Sequence, residues 1–109
     1  MFDLNKLASD FILFSMPEFG FFTLPEQFCT GSSIMPQKQN PDMLEIMRGK
    51  FHMMKACERE VSGLIGDLGS GFHRDFQLTK GPTMKGIDIT LKSLEIASLV
   101  VKCISVNGE

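Results

Sequence analysis

Apolar and polar positions along the chain fall into three helical stretches separated by two irregular ones. Leu4, Leu7, Ala8 and Phe11 recur at i, i+3, i+4 and i+7, which predicts a helix over about residues 3–16. Asp3 is its expected N-cap and Pro17 its stop. A second helix is predicted over about 43–65, with Asn40 as cap, Pro41 in the first helical position, and Asp42 and Glu45 at the positive end of the macrodipole. Its apolar positions, from Met43 to Ile65, cover about half the circumference, and Glu45, Arg48, His52, Lys55 and Arg59 form the opposite face. A third helix is predicted from Pro82 or Thr83 to about Val106. Its first half has one apolar stripe, Met84, Ile87, Leu91 and Leu94; its second half is apolar nearly all round, broken only by Ser98, Lys102 and Ser105. A helix of that kind is covered by something larger than this chain. A strand over 96–106 is the weaker alternative, because the preceding stripe is already helical.

Residues 17–41 carry Pro17, Gly20, Pro25, Gly31, Pro36 and Pro41, too closely spaced for a long helix. Phe19–Leu24 reads as a short extended or turn segment, and Cys29–Asn40 as an irregular polar loop. Gly66, Gly69, Ser70 and Gly71 interrupt the chain again before His73, Arg74 and Asp75. The expected class is all-α.

Composition narrows the partners. A chain of 109 residues supports one domain at most, and 43% hydrophobic with 22% charged residues argues against disorder. Eleven Lys plus Arg against thirteen Asp plus Glu leave a net charge of −2, so no nucleic acid and no anionic membrane surface is expected as a partner. No apolar run is long enough to span a bilayer, and no basic, apolar leader opens the sequence. Cys29, Cys57 and Cys103 are odd in number and far apart, which favours a reducing, cytoplasmic setting; without a CxxC or Cys/His cluster, no metal and no other cofactor is expected. Ten Phe and eight Met beside no Trp and no Tyr suit a dry interior or interface.

The segment Gly31-Ser32-Ser33-Ile34-Met35-Pro36-Gln37-Lys38-Gln39-Asn40-Pro41-Asp42 carries the chemistry. Gly31 permits unusual backbone angles, two serines follow, and Lys38 and Asn40 add a cation and an amide just ahead of a helix N-terminus. Those are the parts of an anion site. A serine whose alkoxide is held by such donors can serve as a base. Residue chemistry alone favours a capped, Gly/Pro-rich surface loop with incidental polar residues.

The run GSSIMPQKQNP resembles the signature loop of the fumarase/aspartase superfamily, whose common form is GSSxMPxKxNP. Gln37 before the lysine and the NPD-x-x-E continuation are similar to the argininosuccinate lyase family. Glu18-Phe19-Gly20-Phe21 upstream and Gly71–Lys80 downstream (GFHRDFQLTK) resemble segments of the same family. The resemblance implies an all-α fold, a piece of a long central helical bundle with about three helices. It makes residues 1–109 a partial central helical domain, with the signature loop at about 29–41, and not a complete enzyme domain.

It also implies a reaction: elimination of fumarate from argininosuccinate to release arginine, in a homotetramer whose active sites draw on three subunits. Ser32 maps to the family's base, Lys38 to the cation that stabilises the aci-carboxylate, and Asn40 to an amide holding a substrate carboxylate. Glu45 matches the carboxylate that orients a catalytic histidine from another chain, and Ser33 supports the loop. Gln77 and Lys80 match contacts to the arginine end of the substrate. The family's histidine region precedes this segment, so the chain alone is expected to be inactive. The alternatives are a non-catalytic helical interaction module of the same descent and a piece of another fumarate-releasing lyase.

Phe72 stands where the family often has Tyr, so no substrate contact is assigned to it. His73 is expected to structure its loop, His52 to lie on a solvated or interface face, and Cys29 to pack. Arg74 and Asp75 are expected to form a local ion pair, and the methionines of the second helix to form core.

Overall fold

The computed structural model describes residues 1–25, 29–31 and 39–108, with the main chain alone at 30, 31, 39 and 40. Three helices dominate: α1 (Phe2–Phe14), α2 (Asp42–Gly66) and α3 (Lys80–Cys103). Among the described residues four two-residue strands accompany them: β1 (Phe22–Thr23), β2 (Thr30–Gly31), β3 (Gln39–Asn40) and β4 (Ser105–Val106). They form two antiparallel pairs, β1 with β4 and β2 with β3. The class is all-α, as the periodicity predicts.

Helix ends differ from the expectations for local reasons. α1 starts at Phe2, and Asp3 lies in its first turn rather than capping it; the Asn5 N–H donates to the Met1 carbonyl at 2.9 Å. It stops at Phe14, because Pro17 has no N–H to offer the Leu13 carbonyl, which accepts from Met16 instead at 3.2 Å. α2 starts at Asp42 with Pro41 in the cap position, since Asn40 is taken up in β3. α3 begins at Lys80, two residues before Pro82. A 3₁₀ turn over Arg74–Thr79 runs straight into it, and a proline in the first turn forfeits no intrahelical bond.

The core lies where the three helices meet. Ala8 of α1, Leu44 and Met47 of α2, and Ala97 and Val100 of α3 are buried together, with Leu4, Leu7, Phe11 and Ile12 packed around them. The expected face of α1 is therefore the one used. Phe11 meets Phe22 edge-on at 5.3 Å, and Phe14, Phe19 and Phe21 form a second ring cluster. Met47 is buried and Met43 and Met54 are half-buried, but Met53 is exposed, so only part of the methionine set expected as core packs.

α2 and α3 run antiparallel. Thr90 Oγ1 lies 3.9 Å from Met54 Sδ, and Gly86 faces Met54 and Cys57. The face that α3 turns to α2 consists of Pro82, Gly86, Ile89, Ser93, Ala97 and Val100, all buried. Its small residues let the two helices approach closely. The bulkier stripe picked out by the sequence, Met84, Ile87, Leu91 and Leu94, faces outward and is 48–58% exposed. Leu99 and Val101 are about half exposed as well.

The shape matches this uncovered surface. The chain measures 62 × 31 × 20 Å. It exposes 7799 Å², against roughly 6,000 Å² for a compact protein of the same mass. No helix among the described residues is long and apolar enough to cross a membrane.

Candidate active site

Thr30 pairs with Asn40 and Gly31 with Gln39 across the β2–β3 ladder. This rung closes the foot of the signature loop two residues before α2 begins. The Glu45 N–H donates to the Pro41 carbonyl at 3.0 Å, the first bond of the helix, and the Glu45 side chain is exposed one position past buried Leu44. Asn40 and Glu45 thus stand at the same end of α2. Ser32, Ser33 and Lys38 lie outside the described residues.

Gln77 and Lys80 are placed elsewhere. They stand one turn apart where the 3₁₀ turn enters α3, and the Lys80 N–H donates to the Gln77 carbonyl; both side chains are exposed. Pro82 and Thr83 of this end of α3 line one groove with Val61 of α2. Sixteen residues of α2 separate Val61 from Glu45, about 24 Å along the helix axis. One chain therefore brings Asn40 and Glu45 together and holds Gln77 and Lys80 at the opposite end.

His73 Nε2 is 3.2 Å from the Gly69 carbonyl, so its ring fastens the corner between α2 and the 3₁₀ turn. Arg74 and Asp75 make no ion pair with each other, because neighbouring residues of a 3₁₀ turn project about 120° apart. Phe72 is 75% exposed and stacks on Phe76. His52 is exposed on the polar face of α2 with Glu45, Arg48, Lys55 and Arg59, and Cys29 is half-buried. No group of metal-binding side chains occurs among the described residues.

Sequence reasoning missed the end of the chain. Instead of continuing α3 to Val106, the backbone turns extended at Ile104, β4 pairs with β1, and Asn107 bonds to Gly20 and Thr23. The Asn107-Gly108 dipeptide, a turn former, was the available signal.

Residues 1–54 match the lyase family model, and the chain belongs to that family. Within it, the chain is similar to argininosuccinate lyases. It is 44% identical to that of Thermotoga neapolitana over 99% of its length, 46% identical to that of Sorangium cellulosum over 96%, and 45% identical to that of Xylella fastidiosa over 86%. The aligned parts make up 27%, 24% and 21% of those proteins, so the chain spans about a quarter of the length of the curated relatives it matches.

Proposed function

We propose that the chain supplies the signature loop and central helices of an argininosuccinate lyase, the enzyme that releases fumarate from argininosuccinate to give arginine. The observation that carries this reading is the Thr30–Asn40 rung, which closes the loop at the head of α2 and sets Glu45 one turn along. Near-complete alignment with the bacterial argininosuccinate lyases supports the choice of substrate.

In this reading Ser32 takes the proton from Cβ of the succinyl part. The electron pair left behind spreads into the adjacent carboxylate as an aci-carboxylate, and Lys38 offsets the added charge. Electrostatic stabilisation of that kind is usually the largest single term in catalysis. Asn40 holds a substrate carboxylate and Ser33 supports the loop. Collapse of the intermediate forms the double bond of fumarate and breaks the C–N bond, whose electron pair leaves with the guanidino nitrogen to be protonated there. Glu45 orients a histidine from another chain. Gln77 and Lys80 hold the arginine end, and their distance from Asn40 in one chain means that they act in a site completed by a different copy.

The working form is a cytoplasmic homotetramer in which residues 1–109 form part of the central bundle. The exposed stripe of α3 supports burial against other helices. The experiment supplies the preceding region of a relative in trans and follows fumarate by its ultraviolet absorbance. The expected result is no turnover by the chain alone and turnover by the mixture. An inactive mixture that has assembled as tetramers overturns the reading.

A further inference from the structure

The Glu18-Phe19-Gly20-Phe21 stretch carries none of the residues assigned to the reaction, and it is held from two sides. Gly20 adopts φ +61, a left-handed conformation that favours glycine. Its N–H donates to the Met16 carbonyl at 2.8 Å, and the Phe21 N–H donates to the Phe14 carbonyl at 2.9 Å. The turn is thereby fixed to the end of α1. From the other side, Asn107 Nδ2 donates to the Gly20 carbonyl at 2.9 Å, and its main-chain N–H donates to the Phe21 carbonyl at 2.9 Å. The Thr23 hydroxyl lies 2.8 Å from Asn107 Nδ2 and 3.0 Å from Oδ1.

β1 is the strand that leads toward the loop. Asn107, Gly20 and Thr23 line one cavity of about 220 Å³ together with Cys29 and Pro41, which adjoin the two strands of the loop's foot. Asn107 therefore stands across a small void from the residues that enter and leave the signature loop. We propose that Asn107 is a positioning residue for the signature loop: its side-chain amide ties the Gly20–Thr23 segment to the chain just past β4 and so fixes the foot of the loop at Cys29 and Pro41. The effect on catalysis rests on the lyase reading; the mechanical effect on the foot does not.

Cys29 reports the foot directly, and Cys57, buried between α2 and α3, reports the rest of the fold. Alkylation of the 109-residue chain by iodoacetamide, resolved by peptide mass, compares the wild type with Asn107→Ala and with the milder Thr23→Val. Asn107→Ala is expected to speed labelling of Cys29 by about tenfold with Cys57 unchanged, because removing the clamp opens one end locally. Thr23→Val is expected to give a smaller rise, and Thr23→Ser, which keeps the hydroxyl, none. Unchanged Cys29 labelling in both Asn107→Ala and Thr23→Val overturns the clamp, as does an equal rise at Cys57, which would make Asn107 a support of the whole fold.

In a reconstituted mixture that turns over, Asn107→Ala is expected to lower kcat by about tenfold while KM stays within about twofold, the pattern of misplaced catalytic groups. An unchanged kcat overturns the catalytic consequence. A wild-type mixture without activity counts against the lyase reading alone, since the labelling result stands apart from it.

Discussion

Gly86 of α3 lies so close to Met54 of α2 that a Cβ there would fall 2.8 Å from the Met54 sulfur and 3.1 Å from its terminal methyl, with Cys57 Cβ at 3.8 Å behind. Methionine is flexible, so one added methyl is met by a change of rotamer, and helix propensity favours alanine over glycine by about 1 kcal/mol. Gly86→Ala should therefore be close to neutral. Gly86→Val adds branched bulk that the neighbouring turn of α2 resists, and should cost about 2 kcal/mol in urea unfolding. With Met54→Ala in the background, the valine should cost less than about 1 kcal/mol, a coupling that a double-mutant cycle measures.

Ser32→Ala, placed in an active reconstituted lyase, should abolish fumarate release while circular dichroism and assembly stay as in the parent. A kcat within tenfold of the parent would mean that less than about 1.4 kcal/mol of the barrier depends on the hydroxyl, too little for the principal base.

The separation of Lys80 from the Asn40–Glu45 end gives a test by mixing. Ser32→Ala and Lys80→Ala chains should each be inactive in a homogeneous assembly. Refolded together, they should recover part of the parent's turnover, because some sites would draw an intact loop from one copy and an intact Lys80 from another. A mixture as inactive as its components would mean that both groups must come from one chain.

The outward stripe of α3 bears on association. Ile87 and Leu91 are 49% and 56% exposed, and burying such side chains is worth roughly 1.5–3 kcal/mol each. The chain should form higher-mass species in light scattering at micromolar concentration. Ile87→Glu with Leu91→Glu should shift it to smaller ones with its helix content unchanged.

What was legible in the sequence follows the range of the interactions involved. Leu4, Leu7, Ala8 and Phe11 define a helix face through spacing alone, and that face packs. Pro41 and Pro82 mark helix starts through their missing N–H, and the starts found, Asp42 and Lys80, lie within two residues of them. The outward direction of Met84, Ile87, Leu91 and Leu94 was not legible, because periodicity finds an apolar stripe without telling which neighbour it meets. The close approach of α2 selects the small residues Gly86, Ser93 and Ala97 for the inner face instead. β4 was also hidden. Two residues carry no strand signal of their own, and Asn107 holds them through partners more than eighty positions away. For the candidate site, the motif named the residues, but the distance from Glu45 to Lys80 depends on the length and antiparallel packing of two helices.

The rung between Thr30 and Asn40 is made by the main chain, and a ladder bond asks of its residues only a free N–H and carbonyl. Any residue but proline can keep the hairpin in register. Architecture and side chain are thereby uncoupled at position 40: mutation can trial new side chains there without dismantling the frame that presents them. Gly20, whose φ is positive, has no such latitude. Across a lineage, the hairpin's foot can exchange its side chains at little cost to folding, while the turn at Gly20 favours its glycine.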